Sequence, residues 1–372
     1  MKAENIKILI SFMWRILLLA LLIAGLFVLR SFQQNPDLCE SFARGWARNY
    51  IYAASRITNL LPFSLTEVFY AVGISAIIAI VISLIILLIR KNYVKFGKRI
   101  LNVACIVLSL ILLYTSIFTL SYARHSVVPY LNLEEVEEIN VDLCAEASAY
   151  YVSEVIALSD NFEFDEDGNV ICPYTFDELQ SLINQEFHRF DGGYLSDFEV
   201  KAKPVLSSVL MSYSGITGQF FSFFGESNVS TDLIAYQLPE TIAHEIAHAK
   251  GVSRENEANY VAYYLLLTSE NDYLRYCGMM MAANKMLAEA YDKDNSEPYF
   301  ETAKLFSESM WTQYQNVNDH WDSYDTFWDD IMEKINDMYL KSSGQVEGVK
   351  SYSQTGRFIL SIYLNHHKPV GA

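Results

Sequence analysis

Three long apolar runs constrain this chain more than any other feature: residues 8–29, 68–89 and 100–120. Crossing a bilayer core of about 30 Å takes a helix of about 20 residues, and each run is long enough. Together they explain why a chain that is 52% apolar has a positive mean hydropathy of +0.14. Arg15 stands about a third of the way into the first run, which predicts a tilted helix or a side chain that snorkels. That run is too long for the apolar region of a signal peptide, and no small-residue cleavage site follows it. The reading is an anchor of three transmembrane helices over residues 1–123, with an outer loop at 30–66.

Orientation is read from the basic residues. Arg90, Lys91, Lys95, Lys98 and Arg99 crowd the link between the second and third runs without an acid, which places that link in the cytoplasm. The amino terminus, with Lys2 and Lys7, is then inside, and residues 124–372 form a domain outside the cytoplasmic membrane. Arg30, Arg44, Arg48 and Arg56 in the outer loop pull weakly the other way. In that loop Trp46, Tyr50, Ile51, Ala54 and Ile57 recur at helical spacing, which suits a helix at the interface or beneath the outer domain.

Charge divides at the same boundary. Residues 1–123 hold 12 Lys+Arg against 4 Asp+Glu, a balance of +8, and the rest hold 15 against 40, a balance of −25. So acidic a domain excludes a nucleic-acid partner. The expected partners are the lipid bilayer and a peptide or protein substrate. Of the five cysteines, Cys105 lies in a span, whereas Cys39, Cys144, Cys172 and Cys277 face outside with no spacing that indicates pairing. They are read as free.

The chemistry is concentrated in Thr241-Ile-Ala-His244-Glu245-Ile-Ala-His248-Ala-Lys-Gly251 and the residues just after it. Positions i and i+4 share a helix face, so His244 and His248 can address one metal ion. Glu245 sits on the same rim, where a carboxylate can take a proton from a water that the metal activates. This H-E-x-x-H spacing is a metalloprotease signature for that reason. Pro239 and Glu240 suit the first turn of the helix and Gly251 its end. Lys250 departs from the usual longer consensus, which prefers an apolar residue there.

If the chain turns at Gly251 and a second helix starts at Ser253, Glu255 and Asn259 share one of its faces. The arrangement resembles that of the gluzincins, in which a second helix supplies a glutamate ligand and, four residues on, an acid that orients a histidine. The resemblance implies Glu255 as third ligand to Zn²⁺ and Asn259, uncharged here, as the orienting residue. The metzincin pattern wants histidine at position 254, where this chain has Arg254. Glu257 is read as solvated or paired.

Around this core the outer domain reads as α+β, mostly helical with a small sheet. Helical spacing predicts a helix over 141–159, and Thr175-Phe-Asp-Glu178 is a capping box that opens another to about residue 190. Asn161 to Cys172 reads as a hairpin with an acidic turn at Asp165-Glu-Asp-Gly168. That turn is a plain turn and not a calcium loop, because the twelfth position is Tyr174. Residues 204–213 are β-prone. Asn228, Val229 and Ser230, just ahead of the metal helix, are candidates for an edge strand that pairs with substrate; a strand lying under the helix without substrate contact is the equal alternative. Helices follow over 269–291, 297–324, 325–340 and 352–366, with Trp311, Trp321 and Trp328 read as core. The polar loop 341–352 suits a cover over the cleft, and Tyr352, Tyr339 and His320 are candidates for the transition-state hydrogen bond of amide hydrolysis.

Taken whole, from the first span to about Tyr363, the chain resembles the bacterial membrane-protein family catalogued as domain of unknown function 3810. The resemblance rests on Leu61-Pro-Phe-Ser-Leu-Thr-Glu67, on Ile216-Thr-Gly218 with Gly225-Glu-Ser-Asn228-Val, on His244 to Asn259, and on Tyr339-Leu-Lys with Gly344-Gln345, Gly348-Val349 and Ser351-Tyr352. It implies a membrane-tethered metallopeptidase of gluzincin type with a zincin-like domain.

The expectation is therefore a multi-pass protein of the bacterial cytoplasmic membrane whose outer domain hydrolyses peptide bonds. Zn²⁺ would be held by His244, His248 and Glu255, with Glu245 as general base. The alternative is a non-catalytic receptor or scaffold with a structural zinc site, which a fourth protein ligand would favour. A protease cutting inside the bilayer is disfavoured, because the motif lies far beyond the last apolar run.

Overall fold

The computed structural model describes residues 2–131, 133, 136, 138–190, 193–343, 345 and 354–367, with the side chains of 2, 3, 327–330 and 339 excepted. It divides into two compact units. One takes in Met1–His125 together with Ser222–Phe224, the other Ser126–Phe221 with Gly225–Ala372.

The first unit is built on α1 (Lys2–Phe32), α4 (Leu65–Ile89) and α5 (Tyr93–Ile117). All three are long and apolar enough to cross a membrane. Each is longer than a 20-residue crossing requires, and α4 and α5 start at capped positions: Ser64 accepts from Glu67 N–H and Asn92 from Lys95 N–H. Arg15 is tied down within the helices, donating to Asn102 Oδ1 of α5 at 2.7 Å and to Ser11 Oγ at 2.7 Å. Such satisfaction of a charged side chain inside an apolar bundle is the usual condition for its presence.

The loop after α1 is helical, as its spacing predicts: α2 (Pro36–Phe42), one wide turn at Ala43–Ala47, then α3 (Arg48–Thr58). Arg124, 3% exposed, closes on Glu40 through two contacts of 2.7 and 2.8 Å. The turn at 222–224 belongs here because Tyr50 Oη donates to Phe223 O (3.1 Å), Thr58 Oγ1 donates to Phe224 O (3.2 Å), and the Phe69 and Phe224 rings meet edge-on at 5.5 Å.

The second unit is mostly helical with one small sheet. Its elements are α6 (Val141–Ser159), α7 (Phe176–Arg189), β1 (Ala202–Pro204), α8 (Ser208–Ser212), β2 (Gly218–Phe221), β3 (Glu226–Val229), α9 (Leu238–Ala249), α10 (Glu255–Leu267) and α11 (Asp272–Glu289). There follow α12 (Glu297–Ala303), α13 (Glu308–Asp322), α14 (Phe327–Ser343) and α15 (Thr355–Ile362). α6 runs along α11 and α10 along α9, while α9 also lies on β2 and β3. Ile242, Ala243, Ile246 and Ala247 are fully buried at that crossing. Truncating either isoleucine to alanine would cost about 2–5 kcal/mol.

Several elements differ from the sequence expectation. The sheet order is β1-β3-β2, with β1 parallel and β2 antiparallel to β3. β3 is thus the middle strand, and Asn228 and Val229 pair on both sides; Ser230 N–H bonds Thr217 O at 2.8 Å. The expected edge at Asn228, Val229 and Ser230 is corrected: the edge strand beside α9 is β2, because the hairpin turns the earlier strand outward. Of the β-prone stretch 204–213 only Pro204, the last residue of β1, is strand, and α8 follows. Ser307 caps a fresh helix at Met310 N–H, so the single helix expected over 297–324 is two. The hairpin at 161–172 is reduced to one bridge, Phe164 to Val170, closed by a turn in which Asp165 Oδ1 accepts from the N–H of Asp167 and Asn169. The capping box at Thr175 and Glu178 is present. All five cysteines are free.

Candidate metal centre

α9 starts after a single 3₁₀ turn with Pro239 and Glu240 in its first turn, where a missing N–H and a negative charge are tolerated. It ends at Gly251, whose φ of 108° disfavours any residue with a Cβ. The turn is closed by Gly251 N–H to His248 O and Val252 N–H to Ala247 O, both 3.0 Å. This reversal starts α10 at Glu255 and carries its carboxylate back to the histidines.

The structure brings His244, His248 and Glu255 together. One donor atom from each lies within 4.8 Å of the others. His244 Nε2 stands 3.0 Å from His248 Nε2 and 3.2 Å from Glu255 Oε2, and His248 Nε2 stands 3.3 Å from that oxygen. Tetrahedral ligands held about 2.0–2.1 Å from a zinc ion stand roughly 3.3–3.4 Å from one another. The three edges fall close to that value, and two imidazoles with one carboxylate are a zinc donor set. Among the described residues no other such group of His, Cys, Asp or Glu occurs.

Two features fix the ligands. His248 Nδ1 donates to Val252 O at 2.6 Å, so its Nε2 keeps a lone pair for the shared point. Glu255 N–H, an orphan donor at a helix start, is met by Gln345 Oε1 at 3.4 Å. Asn256 Nδ2 is held by Gln354 Oε1 at 2.8 Å, so Gln345 and Gln354 both reach the first turn of α10. Neither Val252 nor Gln345 was identified as supporting the site from sequence. A carbonyl leaves no residue-type signal, and Gln345 is 90 positions from its partner.

Glu245 is 4% exposed, and its Oε2 is buried with no hydrogen-bond partner among the described residues. Burial raises its carboxyl to about 7, against the lowering effect of the two histidines. Ser227 Oγ donates to Glu245 O at 2.8 Å, which ties the helix to β3. A Cβ on Gly218 of β2 would lie 2.6 Å from Glu245 Cγ and Oε1, so glycine is what leaves room for this carboxylate.

The electrostatics favour a cation. Burial alone would lower His244, yet the hydrogen bond to Glu255 and the charges of Glu245, Glu255 and Glu240 carry it up to about 9. Glu255 is held well below the usual carboxylate range: its burial is outweighed by the charge of His248 and by hydrogen bonds from both histidines. Glu240, one turn before His244, is itself raised by burial. Glu240, Glu245 and Glu255 together thus favour the charged form of His244 despite its burial.

The remaining candidates fall elsewhere. Among the described residues no hydrogen bond links Asn259 to His244 or His248; the orienting contact comes from Val252 O instead. His320 donates through Nε2 to Asp232 O at 3.0 Å, and no hydrogen bond or ion pair joins it to the motif. Tyr352 lies outside the described residues, as does the side chain of Tyr339. Glu257 is paired, at 2.6 Å, with Arg254. Lys250, 2% exposed, donates to Phe198 O (2.8 Å) and Ser196 O (3.3 Å) under the Phe187 ring, which accounts for a lysine at a position expected to be apolar.

The family model described as "Protein of unknown function (DUF3810)" matches residues 42–360. No curated protein and no solved structure matches the chain.

Proposed function

Within the DUF3810 family of proteins of unknown function, to which this chain belongs, we propose that it acts as a membrane-anchored zinc-dependent peptide hydrolase. The observation that carries the reading is the convergence of His244 Nε2, His248 Nε2 and Glu255 Oε2 at the edge lengths of a tetrahedral site, beside a buried carboxylate with an unmet oxygen. His244, His248 and Glu255 would hold the ion, which supplies Lewis-acid polarisation of a carbonyl and acidifies water. Among the described residues no fourth protein ligand joins the group, which favours a catalytic over a closed structural site.

The chain's own residues then do the rest. Glu245, raised to about 7, takes the proton of the attacking water and returns it to the leaving amine. Gly218 and Ser227 position Glu245 from the sheet, and Val252 and Gln345 position the ligands. β2, at the sheet edge beside Glu245, replaces Asn228 to Ser230 as the strand along which an extended peptide would lie. The gluzincin subtype, the zincin-like fold and an outward-facing soluble unit are parts of the same proposal.

The test is Glu245→Gln in the full chain, with zinc content and cleavage of a denatured casein digest read side by side by mass spectrometry. The expected result is unchanged zinc with cleavage reduced at least about 10³-fold. Cleavage at the wild-type rate in that variant would remove the assigned base.

A further inference from the structure

Helix α8 is built inside out. Its serines are the covered residues, Ser208 at 6% and Ser212 at 1% exposed. Ser208 Oγ donates to Val205 O (2.7 Å) and accepts from Thr231 N–H (3.0 Å), while Ser212 Oγ donates to the Asp232 carboxylate (2.7 Å). Val209 and Leu210 of the helix are 53% and 67% exposed, and Leu206, in the turn that leads into it, is 96% exposed. The three lie within five residues of chain, in the turn and first residues of α8, so they form one short exposed apolar stripe. A helix on a water-facing surface shows the reverse order, and clustered exposed aliphatics mark a contact surface.

The surrounding charge selects the partner. Residues 200–225 contain Lys201 and Lys203 and no acid, within a remainder that holds 40 Asp+Glu against 15 Lys+Arg. Lys203 is spent on Glu226 at 2.6 Å. An anionic bilayer surface repels the acidic remainder and accepts an acid-free apolar stripe. The same acid-free stretch runs on to Ser222–Phe224, which belong to the unit that contains the three apolar helices.

We propose that Leu206, Val209 and Leu210 enter the headgroup boundary of the bilayer that the apolar helices cross, so that α8 is a membrane-contact element of the soluble unit. Tethering keeps the stripe at high effective concentration near lipid, so three side chains suffice where a free domain would need a larger anchor.

The experiment places a nitroxide at Leu206→Cys and, separately, Leu210→Cys in the full chain reconstituted into vesicles of phosphatidylethanolamine and phosphatidylglycerol. Lys304→Cys serves as the exposed control, and the signal of identically treated wild type is subtracted. Collision rates with oxygen and with a water-soluble nickel chelate are measured at each site. The proposal requires oxygen to exceed nickel several-fold at both 206 and 210, with the order reversed at 304. Nickel-dominated collisions at either of the two sites overturn it. Low rates with both reagents also overturn it, in favour of a protein surface covering the stripe.

Discussion

A methyl group on Gly218 would land 2.6 Å from the Glu245 side chain, against a buried carboxylate. Gly218→Ala is therefore expected to displace Glu245 and to cost about 1–3 kcal/mol by overpacking. Bound zinc should stay at the wild-type level while peptide cleavage falls at least about tenfold; retained cleavage would mean that Glu245 has freedom the structure does not show. At this scale the sequence showed what depends on local phase. His244, Glu245, His248 and Glu255 need only two helices and a turn, and each can be placed by counting. It did not show Val252 or Gln345. Those contacts are made by a backbone carbonyl or by chain distant in sequence, and neither has a periodic signature. Lys250 is the converse case: an odd residue type that only its carbonyl partners at Ser196 and Phe198 explain.

Among elements, the α9–α10 reversal matters most, since it sets both the Val252 contact and the return of Glu255. Gly251→Ala places a Cβ at φ 108° and should cost about 1–2 kcal/mol. Its effect on function is larger, because the Val252 carbonyl moves off His248 Nδ1. Zinc affinity should drop roughly 10–100-fold by competition with a fluorescent chelator. The C-terminal turn after α15 gives a pH prediction. His367 accepts a hydrogen bond from Tyr150 Oη of α6 at 3.0 Å, and burial pushes it down to about 4 from 6.5. The folded state thus disfavours the proton that the unfolded chain accepts, so this contribution is complete above about 6.5 and lost as pH falls toward 4. His367→Gln, which keeps an acceptor for Tyr150, should flatten the fall in melting temperature across that window. An unchanged slope would assign the acid sensitivity to other groups. Helices with caps, such as α7 behind its Thr175–Glu178 box, were readable because caps are local. Strand order was not. β3 is the nearest strand to α9 in sequence, yet the hairpin puts β2 at the edge, and 204–213 shows strand propensity where backbone and serine hydrogen bonds make a helix.

Across the whole molecule, the long apolar runs and the charge division announced a membrane-associated chain with an acidic remainder. The structure has three helices of the required length. What no linear reading shows is that Ser222–Phe224, a hundred residues past α5, belong to the first unit through Tyr50, Thr58 and Phe69. Thr58→Val removes the donor to Phe224 O and should cost about 1 kcal/mol. The loss should appear as a lower melting temperature of the detergent-solubilised protein; no change would make that hydrogen bond dispensable. The proposed function requires His244, His248 and Glu255 to share one cation. The most direct measurement is the zinc content of the purified full chain beside its Glu255→Ala variant, with circular dichroism to show that both are folded. One zinc per wild-type chain and a severalfold loss in the variant is the predicted result. Equal zinc in the two folded proteins, or none in the wild type after exposure to the metal, would contradict it.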